Sequence, residues 1–413
     1  MTIFLRALIV TLLLSATAIA ENWSQWRGPN TDGRSAAADI PVKWGSANVE
    51  WKTRIPGQGH SSPVAWQDRI FLTSGTDNGR SRTVHCLQAT GAEAGKILWS
   101  KVVWKGAAER VHRMNSRATA TCATDGKRVY ASFGSGGLYC LSVVDGNTAW
   151  KKELGQFDTR GWGTASSPVI VGKAVVQCCD GDNQAYLVAY DRATGKQLWR
   201  TPRPKNRSWS SPTLANVDGN QILLLNGHAG MSAYNAKTGK RIWYNLGGSG
   251  RGTPSVVAGG GLAVAISGRS RGDGDMIAVR LSAKGKVSRP NEAWRIRRGG
   301  RDLPSPIIVG KYLLACNLRP GVATCYDLAS GRLLWKKRLP AGFSASPISV
   351  KGLVYFLDQS GQVSVVKPGP KFDLVASNRI DPASSNEVFR AGMMPQDSRI
   401  YLRSNTTLYC VGK

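Results

Sequence analysis

The apolar positions of this chain fall in short strand-length runs, and the runs return in a fixed order. Five outer runs end on tryptophan four residues after a glycine: Gly95-Lys-Ile-Leu-Trp99, Gly146-Asn-Thr-Ala-Trp150, Gly195-Lys-Gln-Leu-Trp199, Gly239-Lys-Arg-Ile-Trp243 and Gly331-Arg-Leu-Leu-Trp335. Trp51 and Trp294 fit with degenerate lead-ins, and successive gaps from Trp51 are 48, 51, 49, 44, 51 and 41 residues. Periods of this size with strand composition indicate propeller blades rather than helical solenoids. Six of the repeats open on Ser/Thr-Pro: Ser62-Pro63, Ser167-Pro168, Ser211-Pro212, Thr253-Pro254, Ser305-Pro306 and Ser346-Pro347. An apolar second strand follows, such as Arg69–Leu72 or Leu353–Phe356, and then a third strand with a small residue six before the turn glycine: Cys140, Ala189, Ala233, Cys325. Four short strands with glycine turns make one blade.

Inner strands opening near Ser61, Ala118, Ser166, Ser210, Gly252, Pro304, Ser344 and Ala391 predict an all-β, eight-bladed β-propeller of four-stranded antiparallel blades. The eighth blade ends at Thr407–Val411 without an outer strand, whereas Asn48–Ile55, carrying Trp51, is an outer strand without a blade. Joining the two removes an open sheet edge. A seven-bladed ring is the alternative, with the Gly252–Arg298 repeat as an excursion.

Residues 1–20 read as a signal peptide, with Arg6 before the apolar Ala7–Leu14 and a small-residue site at Ala18-Ile-Ala20. Residues 21–47 form an N-terminal extension and residues 48–413 a single propeller domain. Hydrophobic residues at 42% exclude a disordered chain, and no later segment is long and apolar enough for a transmembrane span. Net charge is +29, or +28 once Arg6 is removed, because carboxylates are depleted.

The Gly-x-x-x-Trp strands, the Ser-Ser-Pro inner strands and the segment Trp23-Ser-Gln-Trp-Arg-Gly-Pro-Asn30 resemble exported pyrroloquinoline-quinone-like (PQQ-like) β-propeller repeat proteins. That resemblance covers almost all of the chain after residue 20. It implies two functions: a BamB-type scaffold in membrane-protein assembly, or a PQQ-dependent sugar or alcohol dehydrogenase holding quinone with Ca²⁺. No lipid-attachment cysteine follows Ala20, which counts against close equivalence to the scaffold.

The residues favour the first. The Trp row is expected to cover the next blade and dock on its turn, not to stack a cofactor. Cys86, Cys140, Cys325 and Cys410 occupy a place that wants a small buried side chain, and Cys122 and Cys316 do likewise. In the resembling dehydrogenases an adjacent-cysteine disulfide covers the quinone. Here Cys178-Cys179 lies in a strand, where neighbouring side chains point to opposite faces. Asp302 and Glu387 are the main acids near inner-strand starts, and the histidines (His60, His85, His112, His228) have no metal-ligand spacing. No catalytic residue is nominated.

The loops before the inner strands supply the ligand-binding candidates at the funnel mouth: His60, Arg113, Arg117, Trp162, Trp209, Arg251, Arg301, Phe343 and Arg390. Aromatic faces with guanidiniums suit sugars or anionic ligands. Lys52, Arg54, Lys101, Lys151, Lys152, Arg200, Arg241 and Lys336–Arg338 lie on or beside outer strands, where cations discourage edge pairing. The expected protein is a periplasmic or secreted, monomeric, non-catalytic binding scaffold without cofactor. Its partner is an envelope protein or anionic glycan, and not nucleic acid.

Overall fold

The computed structural model describes residues 22–35, 39–247, 251–267, 274–300 and 303–413. Residues 1–20 and Arg301 therefore lie outside the described residues. Eight antiparallel blades circle one axis. Blade 1 runs outward through Val64–Trp66, Arg69–Thr76, Ser81–Gln88 and Ile97–Lys105. Blades 2, 3 and 4 begin at Ala123–Thr124, Val169–Val171 and Thr213–Val217. Blades 5, 6, 7 and 8 begin at Val257–Gly259, Ile307–Val309, Ile348–Val350 and Met394–Gln396. The weak repeat forms a complete four-stranded blade 5, which rules out seven blades. Val49–Arg54 supplies the outer strand of blade 8, with Trp51 opposite Cys410.

The pairing register explains the small residue of the third strand. Trp99, Trp150, Trp199, Trp243, Trp294 and Trp335 lie directly across from Cys86, Cys140, Ala189, Ala233, Ala278 and Cys325. An indole covers that position, so a larger residue would collide with it. The same indole also reaches the following blade. Trp99, Trp150, Trp243, Trp294 and Trp335 donate their ring N–H to the carbonyls of Val143, Arg192, Leu281, Leu328 and Gly369 at 2.9–3.2 Å. Gly146, Gly195, Gly239 and Gly331 have φ of 70–72°, and a Cβ on any of them would stand 2.4–2.9 Å from the preceding blade's indole. Glycine is thus required twice, for its left-handed backbone and for the space. The motif joins two residues of one blade, but the contact it encodes is between blades. Each buried indole contributes on the order of 3 kcal/mol to a seam.

One seam lacks this device. The outer strand of blade 7, Asp373–Arg379, places Ala376 where the other blades carry tryptophan. There Trp44 stacks on Tyr355 of blade 7 at 6.4 Å, and its backbone N–H donates to Asn378 at 3.0 Å. Trp44 shares a buried cluster with Ala376 and with Ile400 and Tyr401 of blade 8.

The N-terminal extension also stitches the inner strands together. Trp23 donates its N–H to Gln396 of blade 8, and its carbonyl accepts from Ala65 of blade 1. The Ser24 carbonyl, Gln25 Oε1 and Thr31 Oγ1 accept the N–H groups of Thr124, Ile170 and Leu214 in blades 2, 3 and 4. Arg27 donates to the Ser305 and Pro306 carbonyls of blade 6, and Arg34–Ser35 pairs in parallel with Ser349–Val350 of blade 7. These side chains and carbonyls satisfy inner-strand amides that have no further strand beside them.

Candidate functional site

At the other end of the inner strands the blades leave an axial cavity of about 170 Å³. Its collar is the residue before proline in five blades: Ser62, Ser167, Ser211, Ser305 and Ser346. A following proline holds that residue extended as the chain turns into the inner strand. Thr121 and Ser255 take the same place in blades 2 and 5. The blade 5 position is therefore Ser255, two residues beyond Thr253 of the Thr253-Pro254 pair expected from the sequence; Thr253 also lines the cavity.

The collar is a directed ring of hydrogen bonds. The N–H of Ser62 donates to Thr121 Oγ1, Thr121 to Ser167, Ser167 to Ser211, Ser211 to Ser255, Ser255 to Ser305 and Ser305 to Ser346, all at 2.9–3.0 Å. Gly392 of blade 8 donates to Ser62 Oγ at 2.8 Å, but has no hydroxyl of its own. Seven hydroxyl oxygens thus each receive one amide from the neighbouring blade.

Trp26, Trp162 and Trp209 supply the aromatic walls. The Arg251 guanidinium lies 3.9 Å over Trp162, whose other neighbours are His112, stacked at 4.1 Å, and Trp209, edge-on at 6.3 Å. Trp209 is fixed by its N–H to the Gly163 carbonyl at 2.7 Å, and Asn115 anchors the Trp162 loop through the Trp162 carbonyl at 2.7 Å. Arg390 donates to the Arg113 carbonyl at 2.6 Å. Burial pushes the His60 imidazole down to about 3, with Arg390 and Arg403 adding to the effect, so it is neutral at pH 7. Behind the collar, buried Arg403 donates to Ser61 and to the Thr73 carbonyl. Burial lowers this guanidinium to about 9 and that of Arg27 to about 10, and both stay charged at neutral pH.

Five of the nine candidate residues border the axial cavity: His60, Trp162, Trp209, Arg251 and Arg390. Arg113 and Arg117 line a neighbouring groove that shares His60 and Arg390. Arg117 is held there by its Nε–H to the Glu109 carbonyl at 2.9 Å. Phe343 is not at the mouth. It is 1% exposed and packs edge-on against Phe356, because an apolar ring gains more in the blade core than beside a polar collar. The hydroxyl collar and Trp26 were not anticipated; Met114 and Asn115 stand in the mouth loop between Arg113 and Arg117 but were not among the nominated residues. The repeated residue before proline and the Trp23–Asn30 segment carried the signal.

The donor set does not fit a calcium–quinone pair. Ca²⁺ takes six to eight oxygen ligands, with carboxylates prominent. No carboxylate lines the cavity among the described residues, and Asp302 lies outside them. Glu387 is committed elsewhere, accepting from Thr406, Thr407, Tyr409 and the Ala383 N–H. Cys178 and Cys179 are buried free thiols in two different core clusters, on opposite faces of Ala174–Asp180. Burial raises both above the usual thiol range.

A sequence model of the family described as outer membrane protein assembly factor BamB matches residues 41–184 and 180–368. Over 130 residues the chain is 31% identical to the BamB of Burkholderia pseudomallei, covering 31% of each protein. Over 178 residues it is 25% identical to the BamB of Moranella endobia, covering 43% of this chain and 40% of the relative. The aligned stretches thus span less than half the length of either relative. Among solved structures, BamB from Moraxella catarrhalis superposes with a TM-score of 0.62 at 13% identity, covering 88% of this chain and 99% of that one. A europium-containing methanol dehydrogenase superposes with a TM-score of 0.69 at 10% identity, covering 94% and 98%. At such identities the likeness is one of fold.

Proposed function

The chain belongs to the family of the outer membrane protein assembly factor BamB, and from that premise we propose that it is an exported, non-catalytic binding scaffold of the cell envelope. One observation carries the reading: the cavity wall offers hydroxyls, indoles and guanidiniums, with His60 held neutral. Such groups bind and orient, but none of them exchanges a proton near pH 7, which general acid–base chemistry requires. The family's assembly role supports an envelope protein as partner, and the excess of Lys and Arg supports an acidic one. No helix among the described residues is long and apolar enough to cross a membrane.

The test has two arms. Purified protein incubated with pyrroloquinoline quinone and Ca²⁺, then desalted, is expected to retain no quinone absorbance and to reduce no dye with methanol or glucose. In cells, a photo-cross-linker placed at Arg113 or Lys151 is expected to give discrete adducts with envelope components. Retained quinone with turnover would overturn the scaffold reading.

A further inference from the structure

We infer that the rim of blades 4 to 6 is a docking face for an anionic lipid surface. The inference rests on the scaffold reading only for export, and it concerns the rim rather than the axial cavity.

An added strand builds the face. In blade 5 the connection between the third and outer strands leaves its own sheet, and Gly285–Val287 pairs in parallel with the blade 4 outer strand at Trp243–Asn245. It brings Lys284 and Lys286 to the edge of blade 4, and Arg289 follows in the turn Arg289–Asn291. Blade 5 then forms its outer strand, Trp294–Ile296, with Arg297 and Arg298 directly after it. On blade 6, Lys336, Lys337 and Arg338 follow Trp335 within Leu333–Arg338. Trp294 and Trp335 hold the same register, across from Ala278 and Cys325, so these cations come at similar heights on neighbouring edges. All of them are exposed. Leu246, Arg289, Arg297 and Arg298 line a groove of about 470 Å³ between the edges of blades 4 and 5, and Leu246 is 50% exposed there.

Local carboxylates do not balance this array. Residues 252–343, which span blades 5 and 6 and the added strand, hold sixteen Lys and Arg against five Asp and Glu. Eleven cations remain even if every one of those acids is paired. Blades 1 and 2 across the ring, residues 57–163, hold fourteen against eight, a surplus of six. Among the described residues the acids of the face are also engaged. Asp275 and Glu292 both pair with Arg295, and Asp327 accepts from Ser330. The charge of the molecule is thus lopsided, and its field turns blades 4 to 6 towards a negative plane.

Composition selects the occupant. Protein interfaces bury a core depleted in charge, lysine included, and aromatic anchors carry most of their affinity. This face is the reverse: cations spread over three edges, with Leu246 and Leu333 exposed and no exposed aromatic ring among the described residues. A fluid layer of phosphate headgroups meets scattered cations without demanding fixed geometry, and Leu246 enters between the headgroups. Each Lys or Arg brought to such a surface tightens binding about fivefold.

The experiment is co-sedimentation at physiological ionic strength with vesicles of phosphatidylcholine alone and of phosphatidylcholine mixed with phosphatidylglycerol. Two variants of equal net charge accompany the wild type. Arg297→Gln/Arg298→Gln/Lys336→Gln/Lys337→Gln removes four cations from the face. Lys101→Gln/Lys105→Gln/Lys127→Gln/Lys151→Gln removes four from blades 1 and 2. The wild type is expected to bind only the vesicles that contain phosphatidylglycerol. The face variant should lose about tenfold or more of that affinity with an unchanged melting temperature. The matched variant should lose less than about threefold, because its sites lie a ring's width away and the Debye length is about 8 Å. An environment-sensitive dye on Leu246→Cys should shift to the blue on these vesicles, while the same dye on Val144→Cys, at a 73% exposed site of blade 2, should not. The native thiols are buried and leave the labelling specific. Equal losses in the two variants, or a blue shift at Val144 alone, would reduce the binding to net charge and overturn the proposal. Displacement by inorganic phosphate at matched ionic strength would point to a discrete anion site and overturn it as well. Envelope-protein cross-links without vesicle binding would overturn it too, while leaving the scaffold reading intact.

Discussion

The rim and the axis of this propeller are both held by contacts that run from each blade to the next, and they differ in chemistry. At the rim an indole lies on a glycine turn, with exposed cations such as Lys151, Lys336 and Lys337 around it. At the axis an amide donates to a hydroxyl. Both rings are interrupted at the same seam, between blades 7 and 8. Ala376 stands in place of a rim tryptophan, and Gly392 has no hydroxyl for the collar. The N-terminal residues converge there. Trp44 covers the rim side, and Arg34–Ser35 pairs with the blade 7 inner strand. A segment that reads as an extension is thus part of the ring, needed most where the repeat itself fails.

The strongest way to break this picture is to delete residues 21–56. That removes the outer strand of blade 8 together with the stitch across the inner strands. A cooperative thermal transition monitored by circular dichroism should be lost altogether, and a truncation that melts like the full chain would refute the closure. Next in size, Trp243→Ala should cost about 3–5 kcal/mol, since this indole is fully buried in the blade 4–5 seam. Trp44→Ala should match it within a factor of two in urea titrations. A loss below about 1 kcal/mol would show that seam 7–8 does not depend on Trp44.

A smaller effect concerns acid. His85 is buried between Ser74 and Ser100, at 2.8 Å from each, and burial pushes it down to about 3, with Arg403 contributing. Below its unfolded value near 6.5 the unfolded chain gains a proton that the folded chain does not. Stability is therefore fully present above pH 6.5 and falls by about 1.4 kcal/mol per pH unit below it. Between pH 6.5 and 5 the His85→Gln variant should show a flatter decline than wild type; parallel slopes would remove this histidine from the account. The smallest effect belongs to the rim charges. Lys151→Gln/Lys336→Gln should alter stability by less than about 0.5 kcal/mol. It should nonetheless weaken retention on an acidic polysaccharide column at low salt. That retention is expected to collapse near physiological ionic strength, where the Debye length is about 8 Å. Retention that persists there and depends on Arg251 and Arg390 would belong to the axis.

The sequence by itself pointed to eight blades, with seven as the alternative that the complete blade 5 removed, and to the borrowed outer strand, the packing role of the tryptophans and the burial of the thiols. The tryptophan and the small residue across from it recur at fixed spacing in seven of the eight blades, so a local period exposes them, and the one outer strand without a blade stands out against that period. Seven copies of one geometry leave little room for misreading. It also brought five cavity residues into view, because loops before inner strands must crowd an axis. Only the tertiary structure decided which member of each Ser-Pro neighbourhood faces that axis. In blade 5 the register differs by two residues, and Ser255 rather than Thr253 joins the collar. Phe343 turned into the core for a reason its loop position could not reveal: an apolar neighbour, Phe356, supplied by the second strand of blade 7. The N-terminal stitch was the least legible. Each of its bonds, across up to 373 positions of sequence, has a backbone amide or carbonyl of an inner strand or of the segment on at least one side, and since every residue possesses those groups no side-chain pattern records the partner.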